Sequence, residues 1–264
     1  MPEADLVPDA DDRPSVARLY DFLLGGHHNY AADRELGRRL LRAEPNARRI
    51  VAENRAFLGR AVRFLLECGV YQFVDLGSGI PTQENVHEIA RRFDPEARVV
   101  YVDNDQVAVA HSKHILSGDP LASVINADLR DPAKVLDHAE VRRLIDFSRP
   151  VGVLMVAVLH FVPDEDDPAG LVRRFAQRLA AGSYVVISHV THESQPDTAS
   201  QVQDLYKSTS AAASTRSKDE IAGFFTGLDL VEPGLVYVPR WRPEGAAAQD
   251  AEKVWFYAGV GRKP

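Results

Sequence analysis

From Gln72 onward the chain alternates short apolar runs with helical stretches, and this alternation constrains the fold more than any other feature. The apolar runs fall at 73–76, 98–102, 122–126, 151–158 and 183–188. Helical patterns lie between them, at about 83–93, 105–117, 132–146 and 168–181. Strands that alternate with helices predict a mostly parallel sheet covered on both faces. Asp131-Pro132 and Asp167-Pro168 each place an acid at the N-cap and a proline at the first helical position. Ser217 and Glu220 have the spacing of a capping box for a later short helix. Stretches 228–238 and 253–260 read as two final strands. Their Pro/Gly/Ala-rich connection is too short for a helical crossover, so this pair is expected to be antiparallel.

The first 70 residues have a different character. Val16, Leu19, Phe22 and Leu23 recur with a helical period over 14–24, and Gly25-Gly26 ends that helix. Stretches 33–43 and 46–67 are also helical, the second with a broad apolar face and Gly69 as its stop. The expected organisation is a disordered acidic tail over 1–12, a helical cap or lid over 13–70, and a ligand-binding α/β domain over 71–264 that forms one unit with the cap.

Composition narrows the class. A net charge of −7 gives no support for a nucleic-acid backbone partner. The single Cys68 rules out an intrachain disulfide and fits a reducing cytoplasm. No run approaches the roughly 18 apolar residues of a membrane span. The N-terminus, MPEADLVPDADDRP, lacks an apolar core, so a secretory signal is not expected.

The chemistry sits at three successive strand ends. The first strand runs into VDLGSGIPT (74–82), where Gly77 and Gly79, with Ser78 between them, let backbone turn tightly against a ligand. Asp103, followed by Asn104, ends the second strand in VVYVDND (99–105) and is placed to accept both hydroxyls of an adenosine ribose. Asp128 and Leu129 follow the third strand in INADLRD (125–131), within reach of an adenine. Each acid alone also reads as an ordinary loop cap; three features in succession point to an adenosine ligand. A dinucleotide loop wants a third glycine, and Thr82 stands there after Pro81. Asp75 precedes the glycines, and its charge repels pyrophosphate but suits a cation. S-adenosylmethionine, with its sulfonium and ammonium groups, is therefore favoured over NAD.

These three motifs resemble the cofactor motifs of class I S-adenosylmethionine-dependent methyltransferases. More narrowly, ARLYDFLLGGHHNYAADRE (17–35), GSGIPTQENVHE (77–88) and VLHFVPDEDDP (158–168) resemble an actinobacterial family, the S-adenosyl methyltransferases, formerly a domain of unknown function. The likeness covers about residues 13–262. It implies an α/β, Rossmann-like class I methyltransferase fold: a seven-stranded, mostly parallel sheet with the last strand antiparallel, plus an N-terminal helical extension. It implies no particular acceptor. Members often carry Lys-Asp where this chain has His27-His28, so that dipeptide takes no role from the family.

Segments before the first strand commonly cover the cofactor in this fold. On that basis Gly26 permits a bend, Asn29 is a candidate for the methionine carboxylate, and Tyr20 or Tyr30 for the sulfonium. Tyr20 also reads as a core aromatic of an amphipathic helix. His160 follows the apolar run VGVLMVAVL (151–159) and is the candidate general base, with a structural histidine as the competing reading. His189, His192 and Glu193 match no zinc spacing, so no metal is expected, and His189 is a candidate for the substrate pocket. The expected protein is a cytoplasmic methyltransferase acting on a small molecule, without nucleic acid or membrane partners and with homodimerisation open. The rivals are a protein that holds S-adenosylmethionine without turnover, an NAD-dependent oxidoreductase and a nucleic-acid methyltransferase.

Overall fold

The computed structural model describes residues 13–81, 85–246 and 249–264. The tail expected over 1–12 and the Thr82 position lie outside these residues. Three helices come first: α1 (Val16–Leu24), α2 (Ala31–Ala43) and α3 (Ala47–Glu67). The alternating part follows as β1 (Gln72–Leu76), α4 (Val86–Arg91), β2 (Arg98–Asp103), α5 (Gln106–Ile115), β3 (Ala122–Asn126), α6 (Pro132–Leu136), α7 (Ala139–Leu144), β4 (Gly152–Val156), α8 (Pro168–Gln177) and β5 (Tyr184–Val190). The chain finishes with α9 (Pro196–Tyr206), α10 (Lys218–Gly223), β6 (Asp229–Leu230), β7 (Val236–Tyr237) and β8 (Phe256–Arg262).

The strand order is β3-β2-β1-β4-β5-β8-β6, with β7 also paired to β8. Strands β1 to β5 are parallel, and β8 enters antiparallel against β5, Ile187 opposite Gly259. The order reverses between β1 and β4, so their carboxyl ends flank the crevice where an open α/β sheet takes its ligand. Residues of the central strands alternate between two cores. Phe73, Val99 and Tyr101 face the core shared with α1, α2 and α3, whereas Val74, Val100 and Val102 face the core under α6, α7 and α8. This period of two is why the strands read as continuous apolar runs: both faces are covered.

Local chemistry sets the boundaries. Asp131 and Asp167 cap α6 and α8 through their side chains, and Ser217 and Glu220 form the capping box of α10. The helical stretch expected over 132–146 is two helices. Asp137 closes α6, and the His138 imidazole accepts from the Glu140 N–H at 3.2 Å to start α7. The strand expected over 228–238 divides into β6 and β7 around Glu232-Pro233-Gly234, where Pro233 has no N–H to give the ladder. Both pieces pair with β8 along one edge, so eight strands fill the seven positions expected. Helix α9 was not anticipated; its PDTASQVQDLY sequence buries only Ala199 and Val202. Among the described residues no helix is long and apolar enough to cross a membrane.

The N-terminal helices are tied to the α/β part of the chain. Arg60 of α3 donates to the carbonyls of Trp241 and Val238, both at 2.9 Å, and the Phe57 ring packs edge-on against Trp241 at 5.3 Å. At the N-terminus of α1, the Ser15 hydroxyl donates to the Asp105 carboxylate, joining the cap to the start of α5.

Candidate active site

A cavity of about 750 Å³ opens at the carboxyl ends of β1 to β4, beneath α1, α3 and α9. Its size lies in the range of small-molecule sites. One half is polar. Gly77 and Gly79 adopt positive φ, 70° and 64°, so the loop after β1 takes a path that side-chain-bearing residues rarely follow. A Cβ on Gly77 would lie 2.2 Å from the Val158 side chain, so the loop is pressed against the segment after β4. Asp103 accepts from the backbone N–H groups of Gly79 (2.7 Å) and Asp105 (2.8 Å), which ties the first two strand-end loops together. Ser78 contributes a hydroxyl oxygen that is buried without a hydrogen-bond partner.

Asp75 and Asp103 are both buried, and burial raises both carboxyl pKa values, to about 7 and about 6. The Arg55 charge pulls Asp75 the other way, and backbone N–H groups do so for Asp103. Asp128 and Leu129 also line the cavity, as does Asn104. The Asp128 carboxylate is engaged: Arg130 donates to it from Nη2 at 2.6 Å, from Nε at 2.9 Å and from its backbone N–H at 2.9 Å.

The second half is apolar, walled by α1, α3, α9 and the start of β8. Tyr20 lines it with its ring, while its hydroxyl donates to the Val51 carbonyl and accepts from Asn54 Nδ2 at 3.0 Å. Asn54 in turn accepts from the Ser188 hydroxyl at 2.6 Å, and the Ala157 N–H donates to that hydroxyl at 2.9 Å. Ala157 stands just past β4 with φ of 57°, a strained value for an alanine, and this relay holds it there.

His160 follows in the same turn. It is buried, lines the cavity and has an Nδ1 without a hydrogen-bond partner. Burial, and then the neighbouring His189 and Arg216, hold its pKa well below the ordinary histidine value, so the ring is neutral. Arg216, 4% exposed, fixes this turn. It donates to the Leu159 and Val162 carbonyls at 3.2 and 2.9 Å, to Asp164, and to His189 Nε2 at 2.8 Å. His189 therefore does not line the cavity. Its Nδ1 donates to the Val190 carbonyl at 2.7 Å, and burial first of all pushes its pKa down to about 3. Glu193 accepts from the Tyr257 hydroxyl, and no group of three His, Cys, Asp or Glu among the described residues is placed to hold a metal ion.

Three cap residues expected at the cofactor lie elsewhere. Gly26, Asn29 and Tyr30 do not line the cavity. They form a corner between α1 and α2, organised by two buried acids. Asp21 accepts from the His28 N–H at 2.9 Å and from Asn29 Nδ2 at 2.8 Å. Gly26 packs so closely on Asp21 that a Cβ would fall 2.0 Å from its Oδ1. Asp33 accepts from Arg18 Nε at 2.7 Å, the Ser15 N–H at 2.9 Å and the Tyr30 N–H at 2.8 Å. The partly exposed Tyr30 ring covers the buried Arg18 guanidinium, 4.9 Å from its centre. What sequence reasoning missed is Asn54, Glu44 and Arg216. Asn54 did leave a signal, a polar residue on the apolar stripe of Ile50, Val51, Phe57 and Leu58.

A parallel sheet with an inserted antiparallel strand, a glycine loop after β1 and an acid after β2 define a Rossmann-like class I methyltransferase architecture. The chain belongs to the S-adenosyl methyltransferase family, whose profile matches residues 8–264. It is similar to a protein of the same once-uncharacterised family from Streptomyces avermitilis MA-4680, at 41% identity, 96% of this chain, 98% of that chain and a TM-score of 0.92. It is also similar to a provisional methyltransferase from Thermobifida fusca YX, at 38% identity, 96% of each chain and a TM-score of 0.90. A comparison with curated proteins found no match. The protein is thus an S-adenosylmethionine-dependent methyltransferase. The polar half of the cavity fits that cofactor: buried carboxylates suit a cation, and the glycine backbone leaves room for close approach.

Proposed function

We propose that the enzyme methylates a small molecule by in-line transfer, with His160 receiving the proton released by the acceptor. When bound, S-adenosylmethionine supplies a methyl group already activated on a sulfonium. The remaining work is alignment, which is worth roughly 7–11 kcal/mol when reactants are well oriented. In this reading Asp103 holds the ribose hydroxyls, Asp75 and the 77–79 loop face the methionine portion, and Asp128 and Leu129 flank the adenine. Asn104 borders the ribose, and the Tyr20 ring closes the side nearest the sulfonium.

The observation that carries the proposal is His160 itself. A buried, neutral imidazole with an unpartnered nitrogen stands past β4, on a turn held by the Asn54–Ser188 relay and by Arg216. A neutral ring is the form a general base needs. Action on a small molecule, without nucleic acid, accords with a net charge of −7 and a cavity of about 750 Å³, and the single Cys68 accords with work in the cytoplasm.

Thermal unfolding with S-adenosylmethionine, S-adenosylhomocysteine and NADH, followed by single turnover of His160→Ala, tests this. Stabilisation by the first two only is expected, about 2.7 kcal/mol at 100 times the dissociation constant. With an oxygen acceptor His160→Ala should lose about 10²–10⁴ in rate and keep its cofactor affinity. Full activity in that variant removes His160 as the base.

A further inference from the structure

The apolar half of the cavity contains a carboxylate that the proposed cofactor contacts leave without a role. Glu44 joins α2 to α3, is 2% exposed and lines the cavity. Its Oε1 accepts from the Asn46 N–H at 2.8 Å and its Oε2 from Trp255 Nε1 at 3.2 Å. Among the described residues no cation pairs with it. An ionised carboxylate in an apolar wall is costly unless a cation and further donors complete it. Two N–H groups occupy only part of its acceptor capacity.

The rest of the cavity has the same sign. Seven carboxylate residues line it against two arginines and no lysine. The two are Arg130, which is paired to Asp128 and Asp166, and Arg55, whose charge acts on Asp75. Carboxylates thus outnumber cations around the cavity, a balance that favours a cationic acceptor over an anionic one. The wall also provides a track. Trp255 and Phe256 are successive residues; the first reaches Glu44, and the second packs edge-on against the His160 ring at 5.7 Å. Trp255 holds φ of 38°, a strained conformation for a bulky residue. Leu40, Ile50, Val51 and Val202 supply apolar surface around the track.

We infer that the acceptor is an amine carried as a cation on an aromatic body, with the ammonium on Glu44 and the ring along Trp255 and Phe256 toward His160. The inference rests on the methyltransferase reading and names its substrate class. The ammonium serves recognition and is distinct from the atom that takes the methyl group.

The test is equilibrium binding of three probes with one phenol body: tyramine, 4-ethylphenol and 3-(4-hydroxyphenyl)propionate. Each is titrated into the full chain with S-adenosylhomocysteine present. Tyramine should bind about tenfold or more tighter than 4-ethylphenol, the worth of one charged hydrogen bond, and the propionate should bind weakest. Glu44→Gln should bring tyramine to within about threefold of 4-ethylphenol, the loss expected when that charge is removed. Equal binding of tyramine and 4-ethylphenol, a preference that survives Glu44→Gln, or no binding by any of the three overturns the inference. If Glu44→Gln does not fold, Trp255→Phe keeps the carboxylate and frees one of its oxygens. That variant should widen the tyramine preference, and a narrowed one counts against the proposal. Binding of S-adenosylhomocysteine itself reports separately on the methyltransferase reading. If it fails to bind, that reading falls, and the amine preference is judged in the ligand-free protein.

Discussion

Two glycine pairs carry this chain's most conspicuous turns, Gly25-Gly26 in the cap and Gly77/Gly79 after β1, and they do different work. Gly77 and Gly79 give up side chains so that backbone can face a cavity. Gly25 takes φ of 83° to end α1, and Gly26 gives up its side chain so that the loop can close on Asp21. The first arrangement leaves space for a ligand. The second spends the same freedom on a buried carboxylate of the protein itself. A glycine pair beside polar residues is therefore a sign of close approach; what approaches depends on where the nearest acid is.

The sharpest way to separate the pairs is Gly77→Ala. It adds a Cβ 2.2 Å from Val158 at a positive φ. Strain and overpacking each cost about 1–3 kcal/mol, and S-adenosylhomocysteine affinity should fall along with stability. Calorimetric unfolding and binding titration read the two effects. Gly26→Ala should cost about 1–3 kcal/mol through overpacking and leave the folded protein's cofactor affinity unchanged. Asp21→Ala, which removes the clashing oxygen, should recover part of that cost in a double-mutant cycle. Additive effects of the two changes would mean that the corner is not organised as described.

A third experiment uses pH. Asp75 titrates near 7 because burial disfavours its charge. Between its unfolded value of about 3.9 and about 7, the native state holds the proton more tightly than the unfolded chain. Its contribution to stability is therefore present below that window and lost as pH rises through it. Binding of a cationic ligand runs the opposite way: S-adenosylmethionine affinity should rise from pH 5 to pH 7 as Asp75 ionises. In Asp75→Asn that rise should flatten, leaving the smaller contribution of Asp103. The same titration on Tyr30→Ala should match the parent at every pH. Removing the Tyr30 ring from Arg18 should cost only about 0.5–2 kcal/mol of stability.

Local signals were the readable part of the fold. Asp131-Pro132, Asp167-Pro168 and the Ser217/Glu220 pair act within a few residues, and each starts a helix where its spacing places it. The five parallel strands were legible because a sheet buried on both faces needs unbroken apolar runs. Helix α9 was not, since a cap element that buries little carries little periodicity. In the site, the acids of β1 and β2 could be located because strand ends point at the crevice. Asn29 and Tyr30 could not, because a polar side chain does not announce its partner. Asn29 found Asp21, eight residues back, and Tyr30 found Arg18.

Arg216 shows what such a long-range partnership means for tolerance to change. All five of its donor hydrogens are used: Nε and Nη2 on Asp164, Nη1 on Leu159 and His189, and Nη2 on Val162. Lysine keeps the charge but brings three donors on one point rather than a planar fork. With 4% exposure, water has little room to replace the missing bonds. The mildest exchange on a chemical similarity scale is thus a severe one at this position. Drift there would loosen the turn carrying His160, and with it the Val158 surface on which Gly77 packs.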